Sequence, residues 1–127
     1  SKIIVSANEI GKNAFDSCFN LSDVKFQHVK AIHSEAFANC RSLLNIDLPH
    51  EICEIHTDAF RNCRGLKVMT FLSHGYYFDE TLKISDNAFS GCDEITFITD
   101  CPYRIEWPNQ LGAELFTIID INASTSD

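Results

Sequence analysis

At 127 residues the chain has room for one modest core, and a hydrophobic content of 45% is ordinary for a globular domain. A net charge of −8 excludes the basic footprint of a nucleic-acid binder or of a segment held on an anionic membrane. No stretch approaches the ~18 consecutive apolar residues of a membrane span. Glycine-rich phosphate loops, nucleophile elbows and HExxH motifs are all missing, so no enzyme and no cofactor is expected.

In chain order, Ile3-Ile4-Val5 comes first, an apolar strand with no cap before it. Such an open edge invites pairing with another chain, so self-association is expected there. Ile3 precedes Ile10 as Leu48 precedes Ile55, so the chain is expected to open in mid-repeat, as a fragment of a longer array does. One pattern then recurs four times, as IGKNAF from Ile10, IHSEAF from Ile32, IHTDAF from Ile55 and ISDNAF from Ile84. After two further residues each copy reaches a cysteine, namely Cys18, Cys40, Cys63 and Cys92. The alanines lie 22, 23 and 29 residues apart, and a period in the twenties is that of a stacked solenoid.

Past each cysteine the register continues with Leu21, Leu43, Leu66 or Ile95, then Val24, Ile46, Met69 or Ile98, then Phe26, Leu48, Phe71 or Asp100. Alternation at the last two positions is the two-residue period of a strand. The Ala-Phe segment is too short for a full helix and predicts a single helical or 3₁₀ turn. Ser34, Thr57 and Asp86 are placed to cap it, and Asn39, Asn62 and Gly91 to leave it in left-handed geometry.

Between the third and fourth copies lies an insertion, SHGYYFDE from Ser73 to Glu80, whose Tyr76, Tyr77 and Phe78 are candidate partner contacts. The repeats occupy 1–100, and 101–127 reads as a C-terminal cap with a polar tail. Within the cap, 110–116 suits a short helix and 117–121 a strand, with Trp107, Leu111, Leu115 and Phe116 shielding the last layer.

The run IHSEAFANCRSLLNIDLP, Ile32 to Pro49, resembles the BspA-like (Treponema-type) leucine-rich repeat, and the resemblance covers about residues 3–100. It departs where Gln27 and Leu72 stand in place of Pro49, and in the insertion. The resemblance implies an α/β solenoid, a right-handed stack of short strands and short helical or 3₁₀ turns, with about four repeats plus the cap. It also implies a non-enzymatic protein–protein interaction module, at the cell surface or secreted, that binds a protein partner as a surface adhesin does. The alternative is a rigid scaffold domain of a larger chain, such as an effector with its activity elsewhere.

Such a module binds through the outward positions of the strands on the concave side. One expected column is Asp23, Asn45, Val68 and Phe97; the next is Lys25, Asp47, Thr70 and Thr99; a third includes Gln27, Pro49 and Leu72. Their character runs from charged to apolar, and Val68, Leu72 and Phe97 predict an exposed apolar patch, with Phe97 as its anchor. The four ladder cysteines are expected to be free, buried and structural. His33 and His56 share one column and His28 and His50 another, on turns and not as metal ligands.

Overall fold

The computed structural model describes residues 1–75 and 80–122, wound as coils stacked on one another. Long strands form one side: β1 (Lys2–Ser6), β3 (Asp23–Gln27), β5 (Asn45–Leu48), β7 (Val68–Phe71), β9 (Glu94–Thr99) and β11 (Leu115–Asp120). Shorter ones form the opposite side: β2 (Glu9–Ile10), β4 (Ala31–Ile32), β6 (Glu54–Ile55), β8 (Leu82–Ile84) and β10 (Ile105–Glu106). The short strands make one five-stranded sheet, and the long ones a four-stranded sheet (β11-β9-β7-β5) beside the β1-β3 pair. Every ladder is parallel, as successive turns of a solenoid must be.

Packing explains the repeat. The isoleucines Ile10, Ile32, Ile55 and Ile84, the leucines Leu21, Leu43 and Leu66, and Ile46 and Met69 are all buried between the two sides. Phe15, Phe37, Phe60, Phe89 and Phe116 form an aromatic column with centroids 5.2, 5.5, 5.7 and 5.4 Å apart. A lone coil leaves these side chains wet; each added coil buries its own and its neighbour's, by ~1.5–3 kcal/mol for a fully buried side chain.

The Ala-Phe segments are turns, not helices, and among the described residues the only helical element is the 3₁₀ turn Pro102–Arg104. The physical reason lies on both flanks. Asn39, Asn62 and Gly91 take the expected positive φ (62°, 58° and 80°), but so do Asn13, Glu35, Asp58 and Asn87 just before the alanine (60–62°). Left-handed residues on either side leave no run of helical backbone for Ser34 or Thr57 to cap. The turns bond instead to the next coil: the Phe15, Phe37 and Phe60 N–H groups donate to the carbonyls of Ala36, Ala59 and Ala88.

The segment after Cys101 also differs from expectation. No helix forms at 110–116; β11 pairs with β9 from Leu115↔Glu94 to Asp120↔Thr99, and Phe89 N–H donates to Leu111 O as its equivalents do to alanine carbonyls. The segment therefore continues the winding by another coil. Trp107, Leu111 and Phe116 do pack on the core, but Leu115, Ile118, Ile119 and Ile121 remain 44–56% exposed. With six long strands and five short ones, the stack is longer than the four copies legible by eye.

Candidate functional site

Alternation along the long strands turns every second side chain out of the core. By register and repeat position, Lys2, Asp23, Asn45, Val68, Thr96 and Thr117 form one outward column, and Ile4, Lys25, Asp47, Thr70, Ile98 and Ile119 the next. Asn45, Lys25 and Asp47 are exposed, and Asp23, Val68, Thr70 and Leu72 are half-buried. These seven stand on the outward face as the sequence predicts.

Phe97 and Thr99 do not. Both are fully buried, and the outward positions of β9 belong to Thr96 and Ile98. Leu66 and Met69 have two residues between them, whereas Ile95 and Phe97 have one, so the fourth copy enters its strand a residue early. The pairings Val68↔Thr96, Met69↔Phe97 and Phe71↔Thr99 record the slip. A one-residue shift sends every side chain of a strand to the other face. Phe97 thus enters the core column, edge-on to Trp107 with centroids 5.1 Å apart. Thr99 takes the slot of Phe71, its hydroxyl oxygen accepting the Cys101 N–H at 3.0 Å. The apolar patch survives with other members: Ile98 joins Val68 and Leu72, and Ile119 extends it, 44% exposed.

The long-strand ladder is interrupted once. β3 and β5 belong to different sheets although they are successive coils, whereas β4 and β6 behind them are paired. Two clefts open across this junction. One, of about 360 Å³, runs over Asp23, Lys25, Asn45, Asp47, Val68, Thr70 and Leu72. The other, of about 500 Å³, lies at the strand ends between Lys25, Gln27, His28, Asp47, Pro49, His50, Glu51 and His74. His74 lines both. Glu51 ties this rim together, 3.1 Å from His28 Nδ1 and 3.7 Å from His50 Nε2, while the His50 and His74 rings sit edge to face at 6.4 Å. The His28–His50 column was legible in the sequence; the contributions of Glu51 and His74 required the coil-to-coil register.

The described ends of the insertion are Ser73–Gly75 and Glu80, and His74 lines both clefts. Tyr76, Tyr77 and Phe78 lie outside the described residues, but both flanks are anchored. Ser73 donates its N–H and its hydroxyl to the Asp100 carboxylate, each at 2.8 Å, and Arg104 Nε donates to Glu80 O at 3.1 Å. Burial opposes ionisation of Asp100, but its hydrogen bonds, those from Ser73 foremost, together outweigh it and hold the carboxyl below its ordinary range.

Elsewhere the polar groups serve the winding. His33 and His56 stack at 4.6 Å, with Glu9 and Glu54 beside their Nε2 atoms. Arg61 pairs with Glu35, Arg64 with Asp93, and Arg41 lies over Phe19. All six cysteines are free. The thiols of Cys40, Cys63 and Cys92 donate to the carbonyls of Phe15, Phe37 and Phe60 at 3.0–3.1 Å. Burial pushes Cys40 and Cys92 up to about 11 and Cys63 higher still, so these are packing groups with little thiolate character. Among the described residues no three His, Cys, Asp or Glu side chains are grouped to hold a metal ion, and no helix is long and apolar enough to cross a membrane.

A family model, the BspA type leucine-rich repeat region, matches residues 8–106 in six copies. Comparison with curated proteins and with solved structures finds no match.

Proposed function

Because the chain belongs to the BspA-type leucine-rich repeat family, we propose that it is a non-enzymatic interaction module that holds a protein partner against the outward side of its long strands. The observation that carries this reading is the pair of adjoining clefts across β3, β5 and β7, lined by outward side chains of three successive coils. Charged and amide groups (Asp23, Lys25, Asn45, Asp47) stand at one end of the face and apolar ones (Val68, Leu72, Ile98, Ile119) at the other. An apolar patch rimmed by charge supplies both affinity and orientation to a protein surface. The flanking residues Ser73 and Glu80 are held by Asp100 and Arg104, and an adhesin-like role outside the cell is the setting that suits this face.

The competing reading, a rigid scaffold within a larger chain, draws on the hydrogen bonding that joins coil to coil on the strands and the turns alike. One comparison separates the two. The chain and a Thr70→Glu/Ile98→Glu variant, matched in thermal stability, are used as paired baits on cell extract and culture supernatant of the source organism. A protein retained by the chain and lost, at least tenfold, by the variant supports a binding face. Equal recovery on both baits sinks it in favour of the scaffold.

A further inference from the structure

Resting on the binding-face reading above, we propose that the protein segment held there presents a lysine or arginine beside an apolar side chain, and that the histidine rim releases it as pH falls. The clefts supply the acceptors. Asp23 and Asp47 stand on the outward face, and among the described residues neither carboxylate takes part in an ion pair or a side-chain hydrogen bond. Glu51 lines the larger cleft with its carboxylate on His28 and His50. Against these three carboxylates the two clefts set one ammonium, Lys25, a balance of −2 while the imidazoles are neutral. The chain as a whole carries −8. Both fields draw a cationic segment and repel an anionic one.

The shape suits a long cationic side chain better than a compact ion. β3 and β5 lack the ladder that joins the other long strands, and the inward-facing Val24, Phe26 and Leu48 line the larger cleft. An aliphatic stem lies on that apolar floor while its charged head reaches the carboxylates at the rim. The apolar neighbour of that side chain meets Val68, Leu72 and Ile98 on the following coils.

Histidine is the side chain that gains its charge between about pH 8 and 5. Three of the five in this chain, His28, His50 and His74, line the larger cleft. Behind His50 and Glu51 stand Lys30, Cys53, Glu80 and Arg104, and His74 follows Ser73, which Asp100 holds. Burial pushes the Cys53 thiol up, which keeps it neutral. Lys30 and Arg104 offset Glu80 and Asp100, so the imidazoles are the groups whose charge changes over this range. Protonating all three takes the clefts from −2 to +1 and turns attraction of a cation into repulsion.

Fluorescence anisotropy with a short labelled peptide of alternating lysine and leucine tests this, in low salt at pH 7.5 and pH 5.5. The peptide is expected to bind at pH 7.5 and about fivefold more weakly at pH 5.5. Asp23→Asn/Asp47→Asn should weaken it at pH 7.5 by about the same factor. The variant His28→Asn/His50→Gln/His74→Asn should hold it equally at both pH values; asparagine is chosen where φ is positive, 65° at His28 and 53° at His74. Circular dichroism checks that each variant keeps the fold. The proposal falls if the peptide does not bind at pH 7.5, or if its glutamate–leucine counterpart binds the unsubstituted chain more tightly there. It also falls if the aspartate variant binds as the chain does, or if the histidine variant still loses the peptide in acid. The binding face itself is judged separately. A protein retained by the chain and lost by Thr70→Glu/Ile98→Glu, yet not eluted at pH 5.5, overturns the histidine gate and leaves the face standing.

Discussion

Phe97 and Ile98 are adjacent in sequence and opposite in role. Phe97 has no exposed area and touches Trp107 and Phe116, whereas Ile98 faces the outward surface. Removing the buried ring leaves a cavity; trimming its neighbour removes surface only. Phe97→Ala is therefore expected to cost ~3–5 kcal/mol in urea denaturation, and Ile98→Ala less than ~1 kcal/mol. Equal losses would mean that the register of β9 is wrong. This pair also marks where sequence reasoning stopped. Counting from Cys92 assumes constant length, and the missing residue between Ile95 and Phe97 becomes visible only through pairing with β7. The left-handed Asn13, Glu35, Asp58 and Asn87 escaped for a different reason. Asn13, Asp58 and Asn87 are types enriched at positive φ but Glu35 is not, and only the recurrence of the position ties the four together.

At the scale of elements, the two long sides were legible because alternation and apolar spacing are properties of single strands. The turns and the last coil were not, since what forms them is bonding to a neighbouring coil. Leu111 takes an alanine's place without the Ala-Phe signature because its carbonyl still receives the Phe89 N–H. Ser73 depends on a neighbouring coil in the same way, through Asp100. A carboxyl whose folded pKa is depressed adds stability that is present above its unfolded pKa and is lost as pH falls through the folded value. Asp100→Asn should thus lower the melting temperature slightly at pH 7 and leave it unchanged near pH 2, measured against the unsubstituted chain. A difference that persists at pH 2 would assign the effect to packing and not to the ionised acceptor of Ser73.

Over the whole molecule, each coil touches only its neighbours, so stability is a chain of local terms and the ends open first. The repeated cysteine reads this out directly. Cys18, in the first coil, is half-buried, Cys40, Cys63 and Cys92 are buried, and Cys63 sits in the middle of the column. Under a thiol reagent in native buffer, Cys18 and the off-column Cys53 should label first and Cys63 last, with the order followed by peptide mass spectrometry. Uniform labelling would mean that the stack opens as one unit.

The shortened fourth coil bears on how a surface of this kind diversifies. Substitution changes a face one side chain at a time. One residue fewer between Ile95 and Phe97 instead exchanges the whole set of residues that the coil displays, here offering Thr96 and Ile98 to solvent and withdrawing Phe97 and Thr99, while the coils on either side keep their pairing. Changes in spacing at a strand's start, invisible to a comparison of residue types, are thus a coarse dial on what such an array presents, and point mutation is the fine one.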